Sequence, residues 1–386
     1  MRVGIDASNL RAGGTATYLI ELLRAANPPD LGFDEVVVWA GSAVLNKIED
    51  RQWLRKSPQQ LLEQAANPFS DRRHLLRAYW QRFKLRKLAE LAGCDLLFVP
   101  GGLDHSGFHP VVTMSHNMLP FDLGEASRYG WSLSRLRLWI LRRLQTRTFR
   151  HADGLIFLMA HARETVSRVA QINGPRTVVI PHGVSPRFSF APRVQRDLSE
   201  YSFSQPFRVL YVSTVNLYKH QWHVVEAIAQ LRGAGFPVAL DLVGAGFPAG
   251  LQRLTDKLRS LGAASDFVQY RGQVAYDVLH HLYQQADLKV FASSCENMPI
   301  ILLEAMAAGL PIACSKRGPM PEVLGDAGVY FDPERPREIA IAIETLIRSP
   351  QIRARNAALG FERAQRYSWE RCARETFAFL AECARR

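Results

Sequence analysis

Between Arg2 and Ile180 short β-branched runs alternate with helical periodicity, and after a proline-rich break the same alternation starts again. The runs Arg2–Asp6, Val36–Ala40, Asp95–Val99, Val111–Met114, Leu155–Met159 and Thr177–Ile180 read as strands. Thr15–Ala26 reads as a helix, because Tyr18, Leu19, Leu22, Leu23 and Ala26 share one face. The second series places strands at Phe207–Ser213, Val238–Val243, Phe267–Arg271, Leu288–Ala292, Ile312–Cys314 and Val329–Phe331, with helical stretches near 220–233, 249–261, 275–285, 300–308 and 336–348. Such alternation requires parallel strands, since each helix is the crossover that returns the chain to the same end of the sheet. The stretch with Pro181, Pro186, Pro192 and Pro206 follows neither period and reads as a linker. At 386 residues the chain accommodates two such domains. The expected fold class is α/β: two Rossmann-like doubly wound domains facing a central cleft, with ligands bound beyond the carboxyl ends of the strands. No fixed-period repeat or low-complexity tract interrupts this plan.

The phosphate-binding signals are uneven. There is no GxxxxGK[ST], and Gly244-Ala245-Gly246-Phe247-Pro248-Ala249-Gly250 has its third glycine one residue late for a dinucleotide fingerprint, with a proline before the helix. Gly13-Gly14-Thr15 follows the first strand, and Thr15 is in position to cap the next helix. That turn either presents free N–H groups to a phosphate or is simply a flexible connection. The stretch from Ser293 to Pro311 is more informative. Glu296 falls in the loop after a strand, and Glu304 falls inside an otherwise apolar helix among Ile300, Ile301, Leu303, Ala305 and Met306. A carboxylate there needs hydrogen-bond donors. Sugar hydroxyls would serve, and so would an internal partner, leaving Glu296 as a mere helix cap.

Forty of the 48 basic residues are arginines, and against 36 acidic residues they give a net charge of +12, which points to an acidic partner. The excess lies in the first 185 residues, with 24 basic and 16 acidic side chains. Two stretches mix arginine with apolar residues. One runs through Arg72, Arg73, Arg77, Arg82, Lys84, Arg86 and Lys87 with Leu75, Leu76, Tyr79, Trp80, Phe83 and Leu85; the other runs from Arg128 to Arg150 with Trp131, Leu136, Trp139 and Ile140. Both read as amphipathic basic helices suited to an anionic membrane surface, or else as core helices with solvated arginine faces. Neither an RNA-reading aromatic motif nor zinc-finger or basic-zipper spacing supports nucleic acid as the partner. The five cysteines are scattered without metal or disulfide spacing, and no apolar run is long enough to span a bilayer. With no signal-peptide pattern at Met1, the expectation is a cytoplasmic protein, peripheral at the inner face of the membrane.

Glu296 and Glu304 with seven residues between them, followed by Ala-Met-Ala-Ala-Gly-Leu-Pro and by Pro321-Glu322-Val323-Leu324-Gly325-Asp326-Ala327-Gly328, resemble the Glu-x7-Glu signature of family-4 retaining glycosyltransferases of the GT-B fold (glycosyl transferases group 1). The similarity extends further. The run from Arg208 to Lys219-His220 is similar to that family's donor-phosphate strand and lysine loop, and Ile180-Pro-His-Gly-Val184 to the end of its first domain. Ser115-His116-Asn117-Met118-Leu119-Pro120 resembles its His-Asp-x-x-Pro loop, and Tyr367-Ser368-Trp369-Glu370 the start of its final helix. The resemblance implies an acceptor-binding domain over 1–185, a linker over 186–206, a nucleotide-sugar domain over 207–366, and a helix over 367–386 that packs back on the first domain.

It further implies that Gly13 and Gly14 approach the donor phosphates and that Lys219 neutralises the leaving pyrophosphate. Glu304 would hold the ribose and Glu296 the donor sugar, with N–H groups of Met298, Ile300 and Ile301 meeting sugar and phosphate. His116 would line the pocket beside the reacting sugar, with His182 and His220 in supporting places. The implied activity is transfer of a sugar, mannose from GDP-mannose as first choice, to a glycan or polyprenyl-linked acceptor in bacterial polysaccharide or lipopolysaccharide biosynthesis. Configuration would be retained and no metal or cofactor needed, the nucleotide sugar being a substrate; no Asp-x-Asp pair occurs in the chain. Three departures stand out. Residues 214–218 lack the arginine usual before the lysine, so one phosphate charge is missing or comes from Lys316 or Arg317. Asn117 replaces an aspartate, and Asn297-Met298-Pro299 replaces a glycine-rich triplet. A nucleotide-sugar epimerase of similar fold is the nearest rival reading, and the Glu-x7-Glu helix argues against it.

Overall fold

The computed structural model describes residues 1–10, 14–59, 73–262 and 266–385. Its described residues divide into two compact units, Met1–Gly183 with Ser368–Arg386, and Val184–Tyr367. The first holds seven parallel strands, β1 (Arg2–Asp6), β2 (Glu35–Ala40), β3 (Leu54–Pro58), β4 (Leu96–Val99), β5 (Val111–Met114), β6 (Gly154–Phe157) and β7 (Arg176–Val179), in the order 3-2-1-4-5-6-7. The central strands are buried along their length because helices cover both faces, which is why they are continuous runs of Val, Ile, Leu and Phe. β3 escapes the sequence reading for the opposite reason. It is an edge strand carrying Arg55, Lys56 and Pro58, half-exposed, with the composition that keeps a sheet edge from pairing further.

The second unit holds six parallel strands, β8 (Phe207–Val212), β9 (Val238–Val243), β10 (Val268–Tyr270), β11 (Leu288–Phe291), β12 (Ile312–Ser315) and β13 (Gly328–Phe331), in the order 10-9-8-11-12-13. The chain winds outward from β8 in one direction and then returns to begin the other side at β11. The loops leaving the carboxyl ends of β8 and β11 therefore flank the switch point, where doubly wound sheets open a crevice for ligands.

Four sequence expectations change here. Residues 186–206, read as a linker, run along the second unit: Phe190 N–H donates to Ala307 O at 3.0 Å, Arg193 reaches Gln284 O at 2.9 Å, and Tyr201 Oη reaches Asp287 Oδ1 at 3.0 Å. The prolines break periodicity without freeing the chain. Thr15 is not the cap of the first helix, because the helix Gly14–Ala25 already contains it. The glycines of 244–250 are packing residues. A Cβ on Gly244, whose φ is +144°, would lie 2.1 Å from Ser213 O, and one on Gly250 would lie 2.7 Å from Asn216 Cα, so the two segments approach backbone to backbone.

The fourth change concerns the first basic stretch. Arg72 lies outside the described residues, and Arg73–Trp80 continues through a π-helical turn, Gln81–Leu85, into Arg86–Leu91. Trp80 and Leu85, expected on a membrane face, are buried in the core with Val37, Trp39, Leu97 and Val99. The last helix, Trp369–Ala384, belongs to the first unit, where Phe377 meets Phe33 edge-on at 5.9 Å.

Candidate active site

After β8 the chain makes a short 3-10 turn, Leu217–Lys219, started by Asn216, whose side chain accepts the Leu217 N–H at 2.7 Å. His220 then takes a left-handed conformation (φ +53°, ψ +31°), an uncommon one for a residue with a Cβ, before the helix Gln221–Gly233 begins. The loop after β11 is fastened to this turn. The Tyr218 carbonyl accepts from Ser294 N at 2.8 Å, Ser294 Oγ at 3.2 Å and Ser293 Oγ at 3.4 Å, while His220 Nε2 lies 2.9 Å from Ser294 Oγ. Tyr211 Oη donates to the Lys219 carbonyl at 2.5 Å. These bonds bring together two residues 77 positions apart: Lys219 Nζ is ion-paired with Glu296 Oε1. The Lys219 ammonium also lies 5.1 Å and 5.5 Å from the ring centroids of Tyr218 and Phe291. Both charged side chains are largely withdrawn from water, so each depends on the other or on an incoming ligand for compensation.

Glu304 sits one turn into the helix Ile300–Ala307, with only 1 % of its surface exposed. Its Oε2 accepts the Tyr283 hydroxyl at 3.0 Å, and burial pushes its pKa up to about 7. The partner demanded by its apolar surroundings is thus internal, and any bond to a ribose would add to this one. Met298 is buried and Ile300 and Ile301 are half-buried at the start of the same helix; the Ile300 N–H is taken up by Met298 O at 3.1 Å. Lys316 and Arg317, the candidates for the missing phosphate charge, each have carboxylate partners of their own. Lys316 pairs with Glu338 at 3.4 Å, and Arg317 pairs with Asp332 at 3.1 Å and Glu334 at 2.5 Å.

Sequence reasoning passed over Lys289. It is fully buried on β11, donates to Val212 O at 3.3 Å, and lies 5.2 Å from the Tyr283 ring. The signal was available: a single charge inside the apolar run Leu288–Ala292. Burial pushes its pKa down to about 7, against an ordinary lysine value of about 10.4, while the Glu304 carboxylate pulls the other way. Between those pH values the unfolded chain holds a proton that the folded chain lacks, so folding is penalised most near pH 7 and the penalty fades as pH rises. Lys289→Met should therefore melt higher than the wild type at pH 7 by a margin that shrinks at pH ~9.5. Loss of the ammonium raises Glu304 further and narrows the margin in the same direction. Equal margins at both pH values would refute the buried-ammonium account.

In the first unit, Gly14 is exposed at the first turn of its helix, with nothing near its Cα that a side chain would strike, and Gly13 lies outside the described residues. His116, in the loop after β5, stacks on His182 at 5.4 Å and meets Tyr18 edge-on at 5.1 Å; Trp369 closes on His182 at 5.7 Å. Burial pushes the His116 pKa down to about 3, so the ring is neutral near pH 7, and its Nε2 is buried without a hydrogen-bond partner among the described residues. A neutral imidazole offers a hydrogen bond rather than a charge. Gly183 fits this cluster because a Cβ there would lie 2.2 Å from Trp369 N.

Two doubly wound parallel units, of seven and six strands, are the architecture of the GT-B class of glycosyltransferase folds. The first unit matches the family described as Glycosyltransferase Family 4 over residues 12–188, and the second matches Glycosyl transferases group 1 over 197–361. The chain belongs to the family-4 glycosyltransferases of the GT-B fold. O-antigen chain mannosyltransferase B of Escherichia coli is 28% identical over 179 residues, 46% of this chain and 47% of that protein. The GDP-mannose-dependent alpha-(1-6)-phosphatidylinositol dimannoside mannosyltransferase of Mycobacterium tuberculosis is 28% identical over 245 residues, 62% of this chain and 60% of that protein. The chain thus aligns with between about half and three-fifths of these relatives' length. Sucrose-phosphate synthase from Thermosynechococcus elongatus shares the fold with a TM-score of 0.75 at 20% identity, over 99% of this chain and 98% of that one.

Proposed function

We propose that this protein transfers a sugar, mannose from GDP-mannose in the first instance, to a glycan or lipid-linked acceptor with retention of anomeric configuration. The observation that carries this reading is the Lys219–Glu296 pair at the carboxyl ends of β8 and β11, fastened in place by the Tyr218 carbonyl and its serine donors. Membership of the family supports the reaction, and two similar proteins bear mannosyltransferase names, one specifying GDP-mannose and a phosphatidylinositol mannoside. A bacterial polysaccharide, lipopolysaccharide or glycolipid is the matching product class.

In this mechanism the diphosphate of the donor draws the Lys219 ammonium from Glu296, and the freed carboxylate accepts a hydroxyl of the donor sugar. The acceptor oxygen forms its bond to the anomeric carbon as the bond from that carbon to the phosphate oxygen breaks. The acceptor's proton passes to the leaving phosphate oxygen on the same face. Lys219 balances the charge that develops there, which a fixed cation does without reorganising water. Backbone N–H groups at the start of Ile300–Ala307 add a positive dipole end. Glu304 holds the ribose hydroxyls beyond its bond to Tyr283, Gly13 and Gly14 admit the phosphates, and His116 offers its orphan Nε2 beside the sugar.

Thermal shifts with GDP, UDP and ADP test nucleotide binding, since a ligand of the folded state raises its melting temperature. GDP should raise it most. Incubation with GDP-mannose and an acceptor should then yield a product with the donor's anomeric configuration by NMR, and EDTA should leave the rate unchanged. An inverted product, or an EDTA-abolished rate restored by a divalent cation, would overturn the mechanism; stabilisation by UDP alone would replace the donor.

A further inference from the structure

In the first sheet the chain winds outward from β1 and returns at β4, so the loops leaving the carboxyl ends of these two neighbours flank a switch point of their own. The two loops are fastened together. Asn9 Nδ2 donates to Gly101 O at 3.2 Å, and a Cβ on Gly101 would lie 1.9 Å from the same nitrogen. Asp6, the last residue of β1, is 1% exposed. One of its carboxylate oxygens accepts the Ser8 N–H at 2.9 Å, and the other accepts Gln81 Nε2.

Gln81 opens the π-helical turn inside the first basic stretch, and turns of this kind are frequent at functional sites. From there it reaches the switch point, where its Nε2 also donates to Leu103 O at 2.9 Å. The residue is 1% exposed, and its Oε1 is buried without a hydrogen-bond partner among the described residues. A buried carbonyl oxygen left unbonded carries a desolvation cost that a hydroxyl donor would offset. Cations stand close by. Arg77 lies four residues before Gln81 on the same helical face, and His105 lies in the loop after β4; both are half-buried. Burial holds the His105 ring below its ordinary pKa, and the charge of Arg77 lowers it further; Arg147 acts in the same direction, against Asp104 and Asp6. Those two carboxylates are already engaged, Asp6 by its two donors and Asp104 by the Ser106 N–H at 3.0 Å. Two arginines and a histidine around them make a locally positive site that an anion complements.

We propose that this switch point is the acceptor site and that it takes an anionic sugar, a hydroxyl of which donates to Gln81 Oε1 while its phosphate or carboxylate lies between Arg77 and His105. The assignment rests on the sugar-transfer reading, which leaves the acceptor's contacts open, and it names acidic sugars as the acceptor class. A forked guanidinium matches either anionic group in geometry as well as charge. A neutral sugar would satisfy Gln81 and leave the cations uncompensated, and a bare anion would do the reverse.

The test is an NMR titration of the full chain, with the His105 ring resonance identified by its loss in His105→Gln. The probes are mannose 6-phosphate, glucuronate, neutral methyl α-mannoside and inorganic phosphate. An anion beside the ring favours its charged form, so mannose 6-phosphate, glucuronate or both should raise the His105 midpoint, and the one that does so names the anionic group. Methyl α-mannoside should leave the midpoint in place. Arg77→Gln should raise the midpoint of the free protein, because a like charge is removed, and should weaken binding of the acidic sugar at least about tenfold, the loss expected for one charge-assisted hydrogen bond. The wild-type titration decides the matter even where a variant melts lower. No shift with either acid, or an equal shift with methyl α-mannoside, overturns the proposal. Inorganic phosphate binding as tightly as mannose 6-phosphate would make this a free-anion site and overturns it too. Calorimetric titration with GDP separates the two readings: if GDP binds and His105 ignores both acids, the acceptor assignment falls and the donor reading stands; if an acid binds and GDP does not, the anionic-sugar site stands and the donor reading falls.

Discussion

Replacing Lys219 with alanine should lower turnover about 10²- to 10³-fold, the loss expected when one preorganised donor to a developing oxyanion is removed. The structure adds a second consequence. Lys219 is buried against Glu296, so removing the ammonium leaves a carboxylate that is 14% exposed without compensation. Breaking a fully buried pair costs about 3–5 kcal/mol, and the residual exposure of Glu296 puts this pair below that range. Melting temperature should therefore fall by several degrees, and turnover alone would confound stability with chemistry. Lys219→Ala/Glu296→Gln separates them. The double variant discards the orphaned charge and should regain most of the melting temperature while turnover stays low. Near-normal turnover in Lys219→Ala would remove this residue from the mechanism.

Glu296→Gln and Glu304→Gln should fail in different ways. Glu304 lies deep in the Ile300–Ala307 helix, and glutamine keeps its shape and still accepts the Tyr283 hydroxyl. In the proposed mechanism what glutamine lacks is a charged acceptor for the ribose, worth about 1.5–3 kcal/mol for each hydrogen bond to an ionised group, or roughly 10- to 150-fold in affinity for GDP. Glu296 is ion-paired with Lys219, and in the proposed mechanism it contacts the donor sugar. Its replacement should leave GDP affinity within a few-fold and lower turnover, because the sugar loses its orienting acceptor while the diphosphate keeps its lysine. Calorimetric titration with GDP and a turnover assay on both variants decide the matter. Equal losses of affinity and turnover in both would contradict the division of roles. Unchanged GDP affinity in Glu304→Gln would leave that carboxylate with an internal role only, as the acceptor of the Tyr283 hydroxyl and a neighbour of Lys289.

Apart from the edge strand β3, the strands of both sheets were legible because a parallel strand covered by helices on both faces has to be apolar and favours β-branched residues, as Val111–Met114 and Val238–Val243 are. Lys219 and Glu296 were each legible as a charge in a loop after such a strand. Their pairing was not. It depends on β8 and β11 being neighbours in the sheet and on three serine donors meeting one carbonyl, a contact across more than seventy residues that local periodicity does not encode. Lys289 and Glu304 illustrate the same limit: their chemistry comes from desolvation, which belongs to the assembled domain rather than to the residue. The two basic stretches put the division most plainly. As sequences, 72–87 and 128–150 have the same alternation of arginine with aromatic and aliphatic residues, and each allows a core helix or an exposed one. Packing separated them, burying Trp80 and Leu85 against Trp39 and Val37 while leaving Trp131, Leu136 and Trp139 in water. An apolar stripe fixes only that a helix has a side to cover, and what covers it is decided by whichever surface the tertiary fold brings alongside.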